Sequence, residues 1–322
     1  MLASVLAVVV IVVVMLPMFA RPRINSRQLK DSTQVCGIQQ AMVVFSQNNQ
    51  DRYPLPSQLD LGQENQTAAG SGQEKDTTRN IFSILIYNNC FSPELCVSPS
   101  EVNPEIKIDT GYSYETPPVA CGTSKAALWD PTFAAYPDDA LASIKPVARK
   151  DGIVATGGLS YAHVPPFGGR SKMWANNFNA NDAIVGNRGP TYTRSGDGWS
   201  LSTAAPSGGL RTAPPGTSSN TLRIHGGRST WEGNIAYSDN HVNFETRADP
   251  DTLPFAFGAA PVTKTFNDNL FVAERNDSFN RDAQPDDLST PAGLNGADNF
   301  LRGYVDVVMA NDQVRRVVPF FD

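Results

Sequence analysis

The 322 residues carry 26 Lys and Arg against 32 Asp and Glu, a net charge of -6 at pH 7 and a pI near 5.1. A chain of this length supports a sizeable core in one large lobe or two closely packed ones, and its acidic balance lacks the basic footprint that a phosphate backbone requires, so no nucleic acid is expected as a partner. With 25 glycines and 24 prolines, above the usual share of roughly 12 per cent, turns outweigh a helical bundle and a loop-rich head is expected.

Met1 to Ala20, MLASVLAVVVIVVVMLPMFA, contain no charge. As a helix they would span about 30 Å, enough to cross the hydrocarbon core of a bilayer. A cleaved secretory signal is the competing reading, but no basic residues precede the apolar run and Met18 and Ala20 make a poor small-x-small cleavage site, so a retained anchor is expected. Pro17 and Pro22 each remove a helical hydrogen bond, which predicts a break or bend between Pro17 and Arg23. Arg21, Arg23, Arg27 and Lys30 then mark the water boundary. Val35, Ile38, Met42 and Phe45 follow at spacings of three and four, an apolar stripe suited to packing on a sheet with Gln39, Gln40 and Gln47 facing outward. The helix is expected to run to about Gln50. These features divide the chain into an apolar membrane or filament-core helix over 1–20, its amphipathic continuation over 21–52, and an extracytoplasmic head over 53–322. Positive charges after the apolar segment would by themselves favour a cytoplasmic head; a basic leader upstream of Met1 would reverse that orientation.

Tyr53 to Asp76 read as a polar surface loop, after which Thr77 or Thr78 is expected to cap a short helix through Ile81, Leu85 and Ile86. Residues 101–150 predict irregular structure pinned by Tyr112, Tyr114, Trp129 and Phe133. Gly186 to Asn220, rich in Gly, Ser, Thr and Pro, predicts an exposed excursion. Asn234 to Ser238 and His241 to Glu245 flank Asp239-Asn240, which predicts a hairpin with a two-residue turn there. A second hairpin is expected from YVDVVM and QVRRVVPFF around Ala310, Asn311 and Asp312. The fold class is therefore α+β: a long N-terminal helix, apolar in its first half, packed on an antiparallel sheet with large loops.

Cys36, Cys90, Cys96 and Cys121 lack the paired spacing of a structural zinc site. An extracytoplasmic head would permit up to two disulfides with three connectivities, among which the short Cys90–Cys96 loop is preferred. Three histidines exist, His163, His225 and His241. His225, Asp239 and His241 are a weak metal constellation because the intervening turn separates them, and no metal is expected on His225. Ser160 and His163 in GGLSYAH lack the second glycine of a nucleophile elbow, and no phosphate-binding loop is present. No catalytic, cofactor-binding or metal residue is assigned, and the chain is not expected to be an enzyme. The stretch Asn267 to Asn299, with Asp268, Asn276, Asp277, Asp282, Asp286, Asp287 and Asp298, offers oxygen donors suited to calcium but without the spacing of a calcium loop, so solvated surface is the favoured reading. Asn65 and Asn276 begin sequons for N-glycosylation.

Pro17, Cys36, GIQQAMVVFSQNNQ and Tyr53-Pro54, then Cys96 in PELCVSPSE and HGGRSTWEGNIAYSDNHVNF from His225, occur in an order similar to that of the pilin-like proteins of planctomycetes and related bacteria. Those proteins carry a prepilin-type N-terminus and a His-x(9)-Asp-Gly processing-associated domain. Here thirteen residues separate His225 from Asp239, and Asn240 stands where glycine is usual. The resemblance covers mainly 1–54, 77–100 and 220–247. It implies a type IV pilus or type II secretion pseudopilus subunit, with a basic leader ending in glycine and a glutamate expected just before Met1. It also implies N-terminal methylation, self-association through the first helix, an inner-membrane assembly platform and a prepilin peptidase as partners. The expected location is the bacterial inner membrane, with the head outside, and then a periplasmic or extracellular filament. Calcium is the cofactor such heads sometimes take. The alternative is a membrane-tethered binding or enzymatic head that never polymerises.

Overall fold

The computed structural model describes residues 26–61, 69–114, 127–149, 151–196, 198–257, 264–274, 296 and 298–322. The expected helix over Met1 to Ala20, its break before Arg23 and the sequons at Asn65 and Asn276 lie outside them. Among the described residues no helix is long and apolar enough to cross a membrane.

Residues 26–47 form α1. Val35, Ile38 and Met42 are fully buried along it, and Phe45 is partly buried, as the three-and-four spacing predicts. Removing each of the first three from water contributes roughly 1.5–3 kcal/mol. Two details differ from expectation. Gln39 is buried rather than outward, because its amide donates to the Tyr53 hydroxyl at 2.9 Å. The helix gives way to a turn at 48–50, where Gln50 and then Asp51 take φ of 56° and 58° and reverse the chain.

The polar stretch after Tyr53 is not simply a surface loop. It contains α2, Pro56–Leu59, and a buried pair in which Lys75 Nζ lies 2.7 Å from Asp60. Asp76 accepts from both the backbone and the hydroxyl of Ser57, and burial pushes its carboxyl up to about 6. α3 follows over Thr78–Tyr87 and is buried from Thr78 through Ile86. Thr77 occupies the N-cap position, but its hydroxyl makes no capping bond and that of Thr78 is used elsewhere.

Among the described residues all strand pairings are antiparallel, and together with the helices they make the fold α+β. The main sheet has the order β1-β2-β5-β6, from Tyr161–His163, Ala183–Asn187, Gly233–Tyr237 and Val242–Glu245. β2 and β5 are buried along their whole length, which suits continuous rather than alternating apolar sequence. Tyr192–Ser195 and Gly198–Leu201 form the ribbon β3-β4, Pro254–Phe257 and Lys264–Asn267 form β7-β8, and Tyr304–Ala310 and Gln313–Pro319 form β9-β10. The stretch expected as an exposed excursion therefore contains the end of β2 and the ribbon β3-β4, with Asn187, Arg188, Ser202 and Ser219 buried.

The hairpin β5-β6 turns at the expected place by a different device. Asn240 N–H donates to the Tyr237 carbonyl and Tyr237 N–H to that of His241, and only Asn240 has positive φ, 71°. This is a three-residue turn, Ser238-Asp239-Asn240, in which asparagine fills the left-handed position usually given to glycine. At the β9-β10 tip Ala310 pairs with Gln313, leaving a two-residue turn in which Asn311 and Asp312 both have positive φ, 52° and 58°. That geometry matches the right-handed twist of the strands.

One core cluster joins α1 (Val35, Ile38) to α3 (Phe82, Leu85), the sheet (Ile184, Ile235) and Val318. Tyr112, Trp129 and Phe133 are buried as expected, whereas Tyr114 is 42% exposed. Arg188 ties the end of the chain down through Glu101 at 2.7 Å and Asp322 at 3.0 Å. The preferred Cys90–Cys96 disulfide is absent: Cys36, Cys90 and Cys96 carry free thiols, Cys96 fully buried and Cys90 partly so, and burial pushes both of these thiols up.

Candidate functional site

The strongest polar constellation lies where α1 meets the sheet. Asp31 belongs to the buried face of α1, one turn before Val35, and is itself fully buried. Its Oδ1 accepts from the Tyr161 hydroxyl of β1 at 2.9 Å, and its Oδ2 accepts from Asn234 Nδ2 of β5 at 2.7 Å and pairs with His225 Nε2 at 2.9 Å. Burial alone would raise the Asp31 carboxyl. Hydrogen bonds from His225, Ser98 and Asn234, and the charge of His225, bring it below the ordinary carboxylate value. Tyr161 moves the other way, well above its usual value, through burial and the adjacent carboxylate, so it remains a neutral donor. The rings of His225 and Phe244 in β6 meet nearly perpendicular, their centroids 5.7 Å apart. The arrangement fixes α1 to two strands by charge-assisted bonds.

The remaining histidines do not converge on His225. His241 Nδ1 pairs with Asp239 at the hairpin tip, and its ring stacks on Tyr237 at 4.3 Å. Asp239 lies in the turn after β5 and pairs with His241 there, whereas His225 pairs with Asp31. Ser160 and His163 are both buried without forming a catalytic pair. Ser160 accepts from the Ser98 backbone at 3.0 Å, whereas His163 bonds Thr78 and the Val164 carbonyl.

Of the calcium-type donors, Asp268 and Asp298 are described and are buried rather than solvated. Asp298 pairs with buried Arg170, and Asp268 accepts from the backbone and side chain of Asn299. Burial and the neighbouring Asp298 and Glu274 raise Asp268 well above the normal range; burial, offset by Arg170, leaves Asp298 at about 6. Among the described residues no group of three or more His, Cys, Asp or Glu side chains is placed to hold a metal ion. Asn276, Asp277, Asp282, Asp286 and Asp287 lie outside those residues.

The sequence singles out His225 but gives no partner for it. Asp31, 194 residues away, was missed, although its place on the buried stripe of α1 was a usable signal. Comparison with family models, with characterised proteins and with solved structures gives no match.

Proposed function

We propose that this chain is a structural subunit of a type IV pilus-like filament or a type II secretion pseudopilus. In this reading the segment Met1 to Ala20 is a helix continuous with α1, membrane-embedded before assembly and at the filament core afterwards. The observation that carries it is the use made of α1. Its apolar stripe is spent inside its own head, and Asp31 clamps its first turns to β1 and β5. The twenty uncharged residues that precede it in the sequence are then the surface left for lipid or for other copies. Leu29 and Val44, 70% and 55% exposed, add apolar surface on the outer side of α1 for neighbouring subunits.

Aliphatic burial at roughly 25 cal/mol per Å² drives such packing, through Leu6, Val10, Ile11 and Val14. A charge at this position is correspondingly disruptive. Val10→Asp should abolish filaments seen by electron microscopy of the producing cells while leaving a truncated head, from about Gln28 onward, folded and soluble. Unchanged filaments would defeat the reading. Absence of filaments in the wild type would favour the tethered head, which the cleft described next supports as a binding unit.

A further inference from the structure

A cleft of about 470 Å³ opens between the ribbon β3-β4 and the chain after β6. One wall is aromatic: Tyr192 and Trp199 from the ribbon, with Trp231 buried behind them. The other is polar and carries Arg247 and Asp249. Hydroxyls of Ser229, Thr230 and Thr246 edge the opening, and all three residues are exposed. Arg194, the cross-strand partner of Trp199, lies over its ring with the guanidinium carbon 5.7 Å from the centroid.

The charges are balanced within the wall itself. Arg247 grips Asp249 with two bonds of 2.9 Å and reaches Asp251 at 3.3 Å. The cation is thus answered twice over, which disfavours a phosphate or a carboxylate ligand. Three of the five guanidinium N–H groups serve these bonds, so the fork still has donors to offer a hydroxyl, and the Asp249 carboxylate beside it can accept one. Asp249 also acts across the cleft on Tyr192, whose phenol is held protonated by burial and by that carboxylate and so remains a donor. A flat apolar ring face opposite a paired donor and acceptor, with hydroxyls around the rim, complements a molecule whose faces are C–H and whose edge is a row of hydroxyls.

We propose that this cleft binds a neutral saccharide, one sugar ring resting on Trp199 with two adjacent hydroxyls engaged by Arg247 and Asp249. The volume accommodates one or two rings, so an oligosaccharide would pass across the ribbon with part of its length in solvent. The site does not depend on polymerisation. On a filament it would be repeated at every subunit, and weak single sites would sum to firm attachment to a glycan surface.

Titration of the full chain in detergent with cellohexaose, maltohexaose, xylohexaose and chitotetraose, read by tryptophan fluorescence and calorimetry, tests the proposal. Saturable binding of at least one of these is expected, weakened about tenfold or more by Trp199→Ala and by Arg247→Ala, and largely kept by Trp199→Phe. Far-UV circular dichroism of each variant should match the wild type. No binding of any of the four at about 10 mM, wild-type affinity in both alanine variants, or tighter binding of inorganic phosphate than of every sugar would overturn it. None of these outcomes bears on whether filaments form, so this site and the assembly reading stand or fall separately.

Discussion

Two histidines are held inside this fold by opposite means. His163 is fully buried among Phe82, Trp174 and Tyr304, with ring centroids 6.0, 5.0 and 5.5 Å away. Its hydrogen bonds fix one tautomer. The Val164 carbonyl, 2.8 Å from Nδ1, can only accept, so Nδ1 carries the proton; Nε2 of the neutral ring then accepts from the Thr78 hydroxyl, whose oxygen also takes the Tyr304 N–H at 2.7 Å. Burial lowers this imidazole to about 4, and it is neutral at pH 7. His225 instead faces the buried Asp31 carboxylate at 2.9 Å, so the same residue type serves as one arm of the clamp on α1. The difference teaches that burial by itself does not set a histidine's role; the charge of the group opposite does.

The comparison is broken most severely at the acid. Asp31→Ala leaves His225, Asn234 and Tyr161 with donors facing a cavity, and the expected loss is about 3–5 kcal/mol. Guanidinium denaturation followed through the buried tryptophans reads it. A loss below about 1 kcal/mol would mean that α1 is held by its apolar stripe and by Gln34 and Gln39, with little from Asp31.

The neutral histidine sharpens the contrast through pH. An imidazole at about 4 when folded and roughly 6.5 when unfolded contributes stability that is complete above 6.5 and lost as pH falls toward 4, on the order of 3 kcal/mol in all. Buried Asp139 and Asp298, raised to about 6, run the opposite way: they stabilise most at low pH, and that contribution is lost as pH rises through 6. The absolute stability curve therefore mixes the two, and the informative quantity is the difference between wild type and His163→Gln. Wild type should lose about 3 kcal/mol relative to the variant between pH 6.5 and 4. A constant difference across that window would show that His163 charges freely where it sits.

Legibility in the sequence followed the range of the interaction. The stripe of α1 and the β9-β10 tip are local patterns, and both could be read from spacing and turn chemistry. The β5-β6 turn was placed correctly but counted one residue short, because asparagine tolerates the left-handed conformation at either position of a turn and the sequence does not say which. Gln39 was assigned outward because a glutamine usually is; only the fold brings the Tyr53 hydroxyl to satisfy it. The Asp31 clamp joins residues up to 203 positions apart, which no local pattern reports. The cleft was missed for a compositional reason. Trp199 lies in a stretch rich in Gly, Ser, Thr and Pro that reads as decoration, and an isolated tryptophan in such a run was the available signal.

The finest test separates the two kinds of donor that meet at Asp31. Tyr161→Phe removes a neutral hydroxyl at 2.9 Å and keeps the ring, while His225 and Asn234 still hold the other carboxylate oxygen. Because a hydrogen bond to a charged group is worth roughly 1.5–3 kcal/mol and the donors His225, Asn234 and Ser98 remain, the expected cost is about 1–2 kcal/mol, well below that of Asp31→Ala. Its pH dependence carries the sharper information. Asp31 titrates below the ordinary carboxylate value, so the stability it contributes is present above about pH 4 and declines as pH falls further through its folded value. The penalty of Tyr161→Phe should shrink over that same acid range, because a protonated Asp31 is a poorer acceptor for the hydroxyl that was lost. If the penalty is instead the same at pH 3 and pH 7, the Tyr161 hydroxyl contributes by filling space at the junction, and the clamp consists of His225, Asn234 and Ser98.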